Sequence, residues 1–394
     1  MSSEIDSAEE FHTRKVSIIA FTHAVHDTYT GMLPALLPVL IEKFMMTNTA
    51  AGLLAVFLRI PSLLQPSIGR LADKNNLKLF IILTPAITGV GMSLLGIAPS
   101  YGFLILFLLI AGFSSAALHA VAPVMGSTYS GNKLGRGMSF WMVGGEMGRA
   151  LGPIVVVTAI GYLTLEGLPW LMLAGGLISF FLYEKLKDVS TISTKAPNST
   201  HWRDALKEIR WVMLPITILV FARSMVTATL TTFLPTFLRS EGSSLWTAGA
   251  SLTILEISGM VGAFLAGTLS DRLGRRTMLF VSYIATPILM VLFVQTNTIM
   301  KIPLLILLGF FAIAIVPVLM AVVIENTSEN RSFANGIYMA LSFALQALAT
   351  FLVGFISDLS SLRLTFLISA GFLPLGLIFI YFLPKNTKND MQQE

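Results

Sequence analysis

Six charged residues lie inside long apolar stretches of this 394-residue chain: Asp27, Arg59, Glu146, Arg149, Arg223 and Glu256. A charge in such a setting costs at least about 2.5–3.5 kcal/mol on insertion scales, so these groups tend to be paired and functional. Three are acids and three are bases. His23, His26 and His119 sit in comparable stretches, and histidine is the residue type whose unperturbed charge change lies near neutral pH. His23, His26, Asp27, His119, Glu146 and Glu256 are therefore candidates for binding and releasing protons. Arg149, Arg223 and Arg59 suit recognition of an anion, with Tyr29 and Trp141 as further candidate contacts.

Spacing supplies local geometry. His23 and Asp27 are four residues apart on one helical face, and His26 is three from His23. This is either a proton site or a buried polar cluster that fixes helix packing. Glu146 and Arg149, three apart, either neutralise each other or leave Arg149 to meet an anionic solute. Arg223 has Glu256 as its most economical partner. No catalytic set and no metal centre is expected: His23, His26 and Asp27 span little more than one turn, and the chain has no cysteine. No Gly-Lys-Ser/Thr phosphate loop is present, so no nucleotide cofactor is expected either.

The elements that must hold these residues are membrane helices. The chain is 55% hydrophobic and 12% charged, against about 25% charged in soluble domains. A span needs roughly 20 mostly apolar residues. Runs occur at 17–41, 50–69, 79–97, 102–124, 138–161 and 167–184, then at 211–237, 246–268, 277–296, 302–324, 334–357 and 362–383. The prediction is an all-α membrane protein of twelve transmembrane helices in two pseudo-symmetric six-helix bundles. The halves are 16–185 and 211–383, with tails at 1–15 and 384–394 and a polar linker at 186–210. Of 26 Lys and Arg residues, 19 fall on one side of this topology and 4 on the other. The basic side is cytoplasmic, which predicts both termini inside and a multi-pass protein of the prokaryotic inner membrane. Acidic residues precede Arg14 and Lys15, so the first apolar run is expected to be retained rather than cleaved. The basic balance belongs to these loops, and no nucleic-acid partner is expected.

The halves echo each other. Gly69-x-Leu71-x-Asp73 and Gly267-x-Leu269-x-Asp271 lie 198 residues apart, each followed by basic residues. Leu33-Pro34 matches Leu234-Pro235, and Arg136-Gly137 matches Asn335-Gly336. Weak identity with strong hydropathy symmetry marks an internal duplication.

At these residues the chain resembles the major facilitator superfamily. The second loop matches that family's G-x-x-x-D-(R/K)-x-G-(R/K)-(R/K) signature through Gly267, Asp271, Arg272, Gly274, Arg275 and Arg276. The first keeps Gly69 and Asp73 but has Asn76 at the second glycine. His23-x-x-His26-Asp27, Leu63-Leu64-Gln65-Pro66, His119, Gly144-Gly145-Glu146-Met147-Gly148 and Gly152-Pro153 resemble the fosmidomycin-resistance-like branch, some members of which export antibiotics. Here Ala120 stands where that branch commonly has proline. Gly148, Gly152 and Pro153 also resemble the family's antiporter motif, a helix-bend element that serves helix packing equally well.

The resemblance implies alternating access around a midplane site lined by spans 1, 4, 7 and 10. It implies a cytoplasmic latch of Gly69, Asp73, Arg136, Gly267, Asp271, Arg272 and Arg275, with Arg136 a candidate partner of Asp271. The expected function is secondary active transport, as proton-coupled efflux of a drug or metabolite by antiport. Proton-coupled import of an organic anion is the alternative, and an intramembrane enzyme or receptor is remote. A monomer in the lipid bilayer, driven by an ion gradient of protons, is expected.

Overall fold

A computed structural model describes residues 11–72, 75–131, 133–186, 202–296, 298–326 and 331–383. The described residues are helical, with no strand. The helices are α1 (Thr13–Thr30), α2 (Leu33–Phe44), α3 (Asn48–Arg59), α4 (Gln65–Ala72), α5 (Lys78–Ser93), α6 (Tyr101–Thr128), α7 (Leu134–Leu163) and α8 (Leu171–Leu186). They continue as α9 (Trp202–Thr232), α10 (Leu234–Ser240), α11 (Leu245–Leu273), α12 (Arg275–Gln295), α13 (Thr298–Glu325), α14 (Arg331–Leu359) and α15 (Leu362–Tyr381). Ten stretches are long and apolar enough to cross a membrane. The first span is divided into α1 and α2, and the sixth is the 16-residue α8. With these two, the chain has the twelve spans expected of an all-α membrane protein. Asp73, the linker over 187–201 and the tail over 384–394 lie outside the described residues.

Leu33-Pro34 and Leu234-Pro235 have a structural meaning. Each opens a new helix after a break, at Gly31–Met32 in span 1 and at Phe233 in span 7. Proline has no N–H to give and its φ suits a first turn, so it restarts a helix rather than continuing one.

The chain forms two compact units. One comprises Met1–Met45, Leu54–Pro197 and Ser244–Thr253; the other comprises Met46–Leu53, Asn198–Ser243 and Ile254–Glu394. In the first, α1 packs along α7, and α5 packs on α6 and α8. Ile19, Ile81, Leu118, Val121, Met125 and Leu182 form the core between them. In the second, α9 packs on α14 and α15, and α12 on α13 and α15. Phe237, Phe293 and Phe366 cluster there, with Phe237 and Phe366 centroids 4.4 Å apart. Asp358, at the end of α14, accepts the N–H groups of Asn48 and Thr49 at 2.8 Å and so caps α3.

The α1–α7 contact depends on glycines spaced four apart. A Cβ on Gly144 would lie 3.0 Å from the Ala20 carbonyl carbon, and one on Gly148 2.8 Å from the Asp27 Cβ. One on Gly152 would lie 2.6 Å from the Thr28 carbonyl oxygen. Small residues at this spacing let two backbones approach closely. The Gly148/Gly152 element therefore sets helix separation, with Pro153 following it inside α7.

Gly161 lies on the same helix, and a Cβ added there would meet nothing within 4 Å. Gly148→Ala should lower stability by about 1–3 kcal/mol through overpacking. Gly161→Ala should be neutral or stabilising by up to about 1 kcal/mol. Thermal unfolding of the two purified variants checks this, and equal melting temperatures would contradict the packing account.

Candidate substrate and ion-binding site

His23, His26 and Asp27 are all buried on α1. His23 Nε2 lies 3.3 Å from Asp27 Oδ2, and His26 Nε2 lies 3.7 Å from Asp27 Oδ1. The glycine stripe brings α7 close enough for Arg149 to reach the same carboxylate, with Nη1 3.4 Å from Oδ2. Arg149 Nη2 is also ion-paired with Glu146 on its own helix. The two readings of that pair thus merge: one guanidinium is shared between two carboxylates. α6 adds His119, whose ring stands edge-on to His23 at 5.0 Å and to His26 at 5.7 Å. Trp141 stacks on His23 at 3.7 Å, and a Cβ on Gly145 would lie 2.7 Å from His23 Nε2.

An outer ring of acceptors fixes the imidazoles. His23 Nδ1 is 2.9 Å from the Trp141 carbonyl oxygen, and His119 Nδ1 is 2.9 Å from that of Ser115. A carbonyl oxygen carries no hydrogen, so each Nδ1 does. His26 Nδ1 is 2.9 Å from Thr88 Oγ1, Thr88 donates to Ser114 Oγ at 3.0 Å, and Ser114 donates to the Thr84 carbonyl at 3.4 Å. Because that chain ends on a carbonyl, the Thr88 hydrogen is spent and Thr88 accepts from His26. In their neutral forms all three rings present Nε2 as a bare lone pair. Among the described residues His23 Nε2 and His26 Nε2 are buried with no hydrogen-bond partner.

Other candidates take different places. Tyr29 is buried and donates its hydroxyl to the Leu171 carbonyl at 2.6 Å, with its ring against Gly89 and Gly175. Its polar atom is committed to holding α1 on α8, so it is a packing residue rather than a solute contact. Trp141 backs His23 and is 7% exposed. Arg59 is exposed where α3 gives way to a 3-10 turn. Glu256 is half-buried on α11.

In the second unit Arg223 is buried on α9, and its Nε has no hydrogen-bond partner. The economical Arg223–Glu256 pair does not form: among the described residues Arg223 has no ion pair. Its neighbours are instead Tyr283 and Tyr338, both close enough to feel its charge. These tyrosines donate to the Leu219 carbonyl at 2.7 Å and the Val316 carbonyl at 3.4 Å. Tyr338, Ser342 and Gln346 follow at four-residue steps on α14, which packs on α9. Ser342 Oγ and Gln346 Nε2 are buried without a partner. Sequence reasoning missed both; their shared face with Tyr338 was the available signal.

At the second repeated loop, Arg275 pairs with Asp271 and, at 2.8 Å, with Glu325 at the end of α13. Glu325 was not anticipated. Arg272 is exposed, and Arg136 lies with its guanidinium 4.6 Å from the Phe11 ring centroid. Gly69 and Gly267 have nothing within 4 Å of a Cβ position. Gly274 has φ of 92°, which favours glycine. Asn76 in the first loop is not in that conformation, and its Oδ1 accepts from the Lys78 N–H at 3.3 Å. The first loop therefore has no need of the second glycine.

The sequence matches the family described as Major Facilitator Superfamily over residues 19–299 and 253–394. The chain belongs to the major facilitator superfamily. Membership makes it a multi-pass membrane transporter and not an enzyme. It is 23% identical over 386 residues to the fosmidomycin resistance protein of Escherichia coli strain K12, covering 94% of this chain and 93% of that protein. It is 24% identical over 260 residues to putative glycerol-3-phosphate transporter 1 of Arabidopsis thaliana, covering 55% of this chain and 49% of that one. Among solved structures it shares the fold of a bacterial homologue of the human lysosomal transporter Spinster, inward-facing and unoccupied. The TM-score is 0.77 at 14% identity, over 95% of this chain and 97% of that one.

Thr88→Val removes the acceptor for His26 Nδ1–H and strands a buried donor. A loss of about 1–3 kcal/mol follows, readable by thermal unfolding. Thr88→Ser should recover most of it, and a Val variant as stable as the native protein would sink the relay.

Proposed function

We propose that this facilitator carries a small anionic molecule out of the cytoplasm by alternating access, in exchange for protons. The observation that carries the anion assignment is Arg223: a buried guanidinium with no carboxylate partner among the described residues, its Nε without a hydrogen-bond partner. A buried charge left uncompensated is expensive, and an anionic ligand would supply the missing partner. In the first unit, taken by itself, Arg149 is a further candidate contact, with 44% of its side chain exposed. The names of two relatives, for fosmidomycin resistance and glycerol-3-phosphate transport, are in keeping with an anionic, phosphonate- or phosphate-like solute. The whole-length likeness to the resistance protein supports export. The protein is proposed to act as a monomer in the inner membrane with both termini cytoplasmic.

The Arg149–Glu146 pair favours a second reading, co-transport of the anion with a proton. A neutral Glu146 releases Arg149 to an anion, so proton and anion would bind together; exchange requires the opposite sign. The ionisable group shown against Glu146 is Arg149 on α7, which also reaches Asp27 on α1, beside His23 and His26.

In vesicles containing the purified protein, Arg223→Ala and Arg149→Ala should each raise KM about tenfold or more, since hydrogen bonds to charged groups are worth about 1.5–3 kcal/mol. Unchanged KM in both would remove the anion assignment. Transport should stop when the pH gradient is collapsed. Substrate affinity that weakens as pH falls supports exchange. Affinity that strengthens as pH falls, and no longer responds in Glu146→Gln, establishes co-transport instead.

A further inference from the structure

The fixed Nδ1–H bonds of the α1 centre leave a set of Nε2 atoms gathered at one carboxylate. We propose that His23 Nε2, Asp27 Oδ2 and His119 Nε2 bind a divalent transition-metal ion of the zinc class. One ligand atom from each of these residues lies within 4.8 Å of the others. A zinc-class ion with bonds of about 2.0–2.1 Å needs ligand atoms about 3.4 Å apart in a tetrahedron. The His23–Asp27 edge, at 3.3 Å, already has that length. The wider edges must shorten by a small rotation of the half-buried His119 about its hydrogen bond to the Ser115 carbonyl.

Three observations point to a cation rather than to a passive polar cluster. First, His23 gives its only neutral-state hydrogen to the Trp141 carbonyl, so a lone pair faces a carboxylate oxygen at 3.3 Å. Two electron-rich atoms at that distance repel unless a cation lies between them, either a proton on Nε2 or a metal ion. Second, His23 and His119 each donate Nδ1–H to a backbone carbonyl, the outer-shell arrangement that orients imidazole toward a metal. Third, His26 Nε2 is fully buried, has no partner and points at the same carboxylate from 3.7 Å, where it can serve as a fourth donor. Imidazole nitrogens with one carboxylate suit zinc, cobalt or nickel over the hard cations magnesium and calcium.

Sequence spacing alone placed three donors on little more than one turn of one helix. His119 brings a donor from a second helix, which gives the set the spread a metal needs. The ion also has a rival. Arg149 Nη1 is 3.4 Å from the same Asp27 Oδ2, so metal entry displaces a half-exposed positive charge that keeps its pair with Glu146.

The test uses the purified full-length protein with cobalt(II) as probe. Ligand-field absorption should show one equivalent bound in a low-coordinate site. His119→Gln and Asp27→Asn should each weaken binding by at least the roughly 10–100-fold that loss of an outer-shell partner costs. Arg149→Gln should tighten it, because the competing cation is gone; a purely adventitious surface site would ignore all three changes. X-ray absorption on the wild-type complex should show at least two imidazoles, which keeps the proposal testable if a variant misfolds. Absence of stoichiometric binding, a shell without imidazole, or weaker binding in Arg149→Gln overturns it. None of these readouts requires a transport substrate.

Discussion

A carboxylate buried in the last turn of a helix must be balanced by what surrounds it, and Asp27 arranges the first unit around that demand. The balance arrives from two helices at once. Glycines at 144, 148 and 152 remove side chains from the α7 face, so the backbone comes near enough for Arg149 to reach Asp27. Gly145 leaves room for the His23 ring, and Trp141 covers that ring from the other side. The polar relay through Thr88 and Ser114 then turns His26 inward. Packing and electrostatics are one construction here, because each glycine that closes the helix contact also shortens the distance between opposite charges.

The second unit solves a different problem. Arg223 is buried like Asp27, but its shown neighbours are the tyrosines Tyr283 and Tyr338 rather than an acid. Among the described residues it has no ion pair and its Nε has no hydrogen-bond partner. Asp27, by contrast, has Arg149 at 3.4 Å.

Much of the fold was legible in the sequence, because twelve apolar runs and a lopsided distribution of Lys and Arg are one-dimensional signals. The charged residues inside those runs were legible as well, since a charge in an apolar stretch stands out. Local spacing gave His23 beside Asp27, which the structure places at 3.3 Å. What spacing could not give was contact between helices. His119 lies 92 residues from Asp27 in sequence, and Glu325 lies 50 from Arg275; nothing local marks either pair. The Arg223–Glu256 pairing was chosen for economy of charge, and geometry did not honour it. Tyr29 stands in the sequence as a candidate solute contact, and the structure binds its hydroxyl to Leu171. Ser342 and Gln346 were overlooked because an uncharged polar residue in a span carries no alarm of its own.

The paired helix restarts at Leu33-Pro34 and Leu234-Pro235 bear on the history of the molecule. Aligned on those dipeptides, His23, His26 and Asp27 fall opposite Ser224, Thr227 and Ala228. Aligned on Arg136-Gly137 and Asn335-Gly336, Glu146 and Arg149 fall opposite Leu345 and Leu348. The broken helix is thus common to both halves, while His23, His26, Asp27, Glu146 and Arg149 have no ionisable counterpart in the second. Doubling supplied a common frame, and the two copies now place different side chains on it.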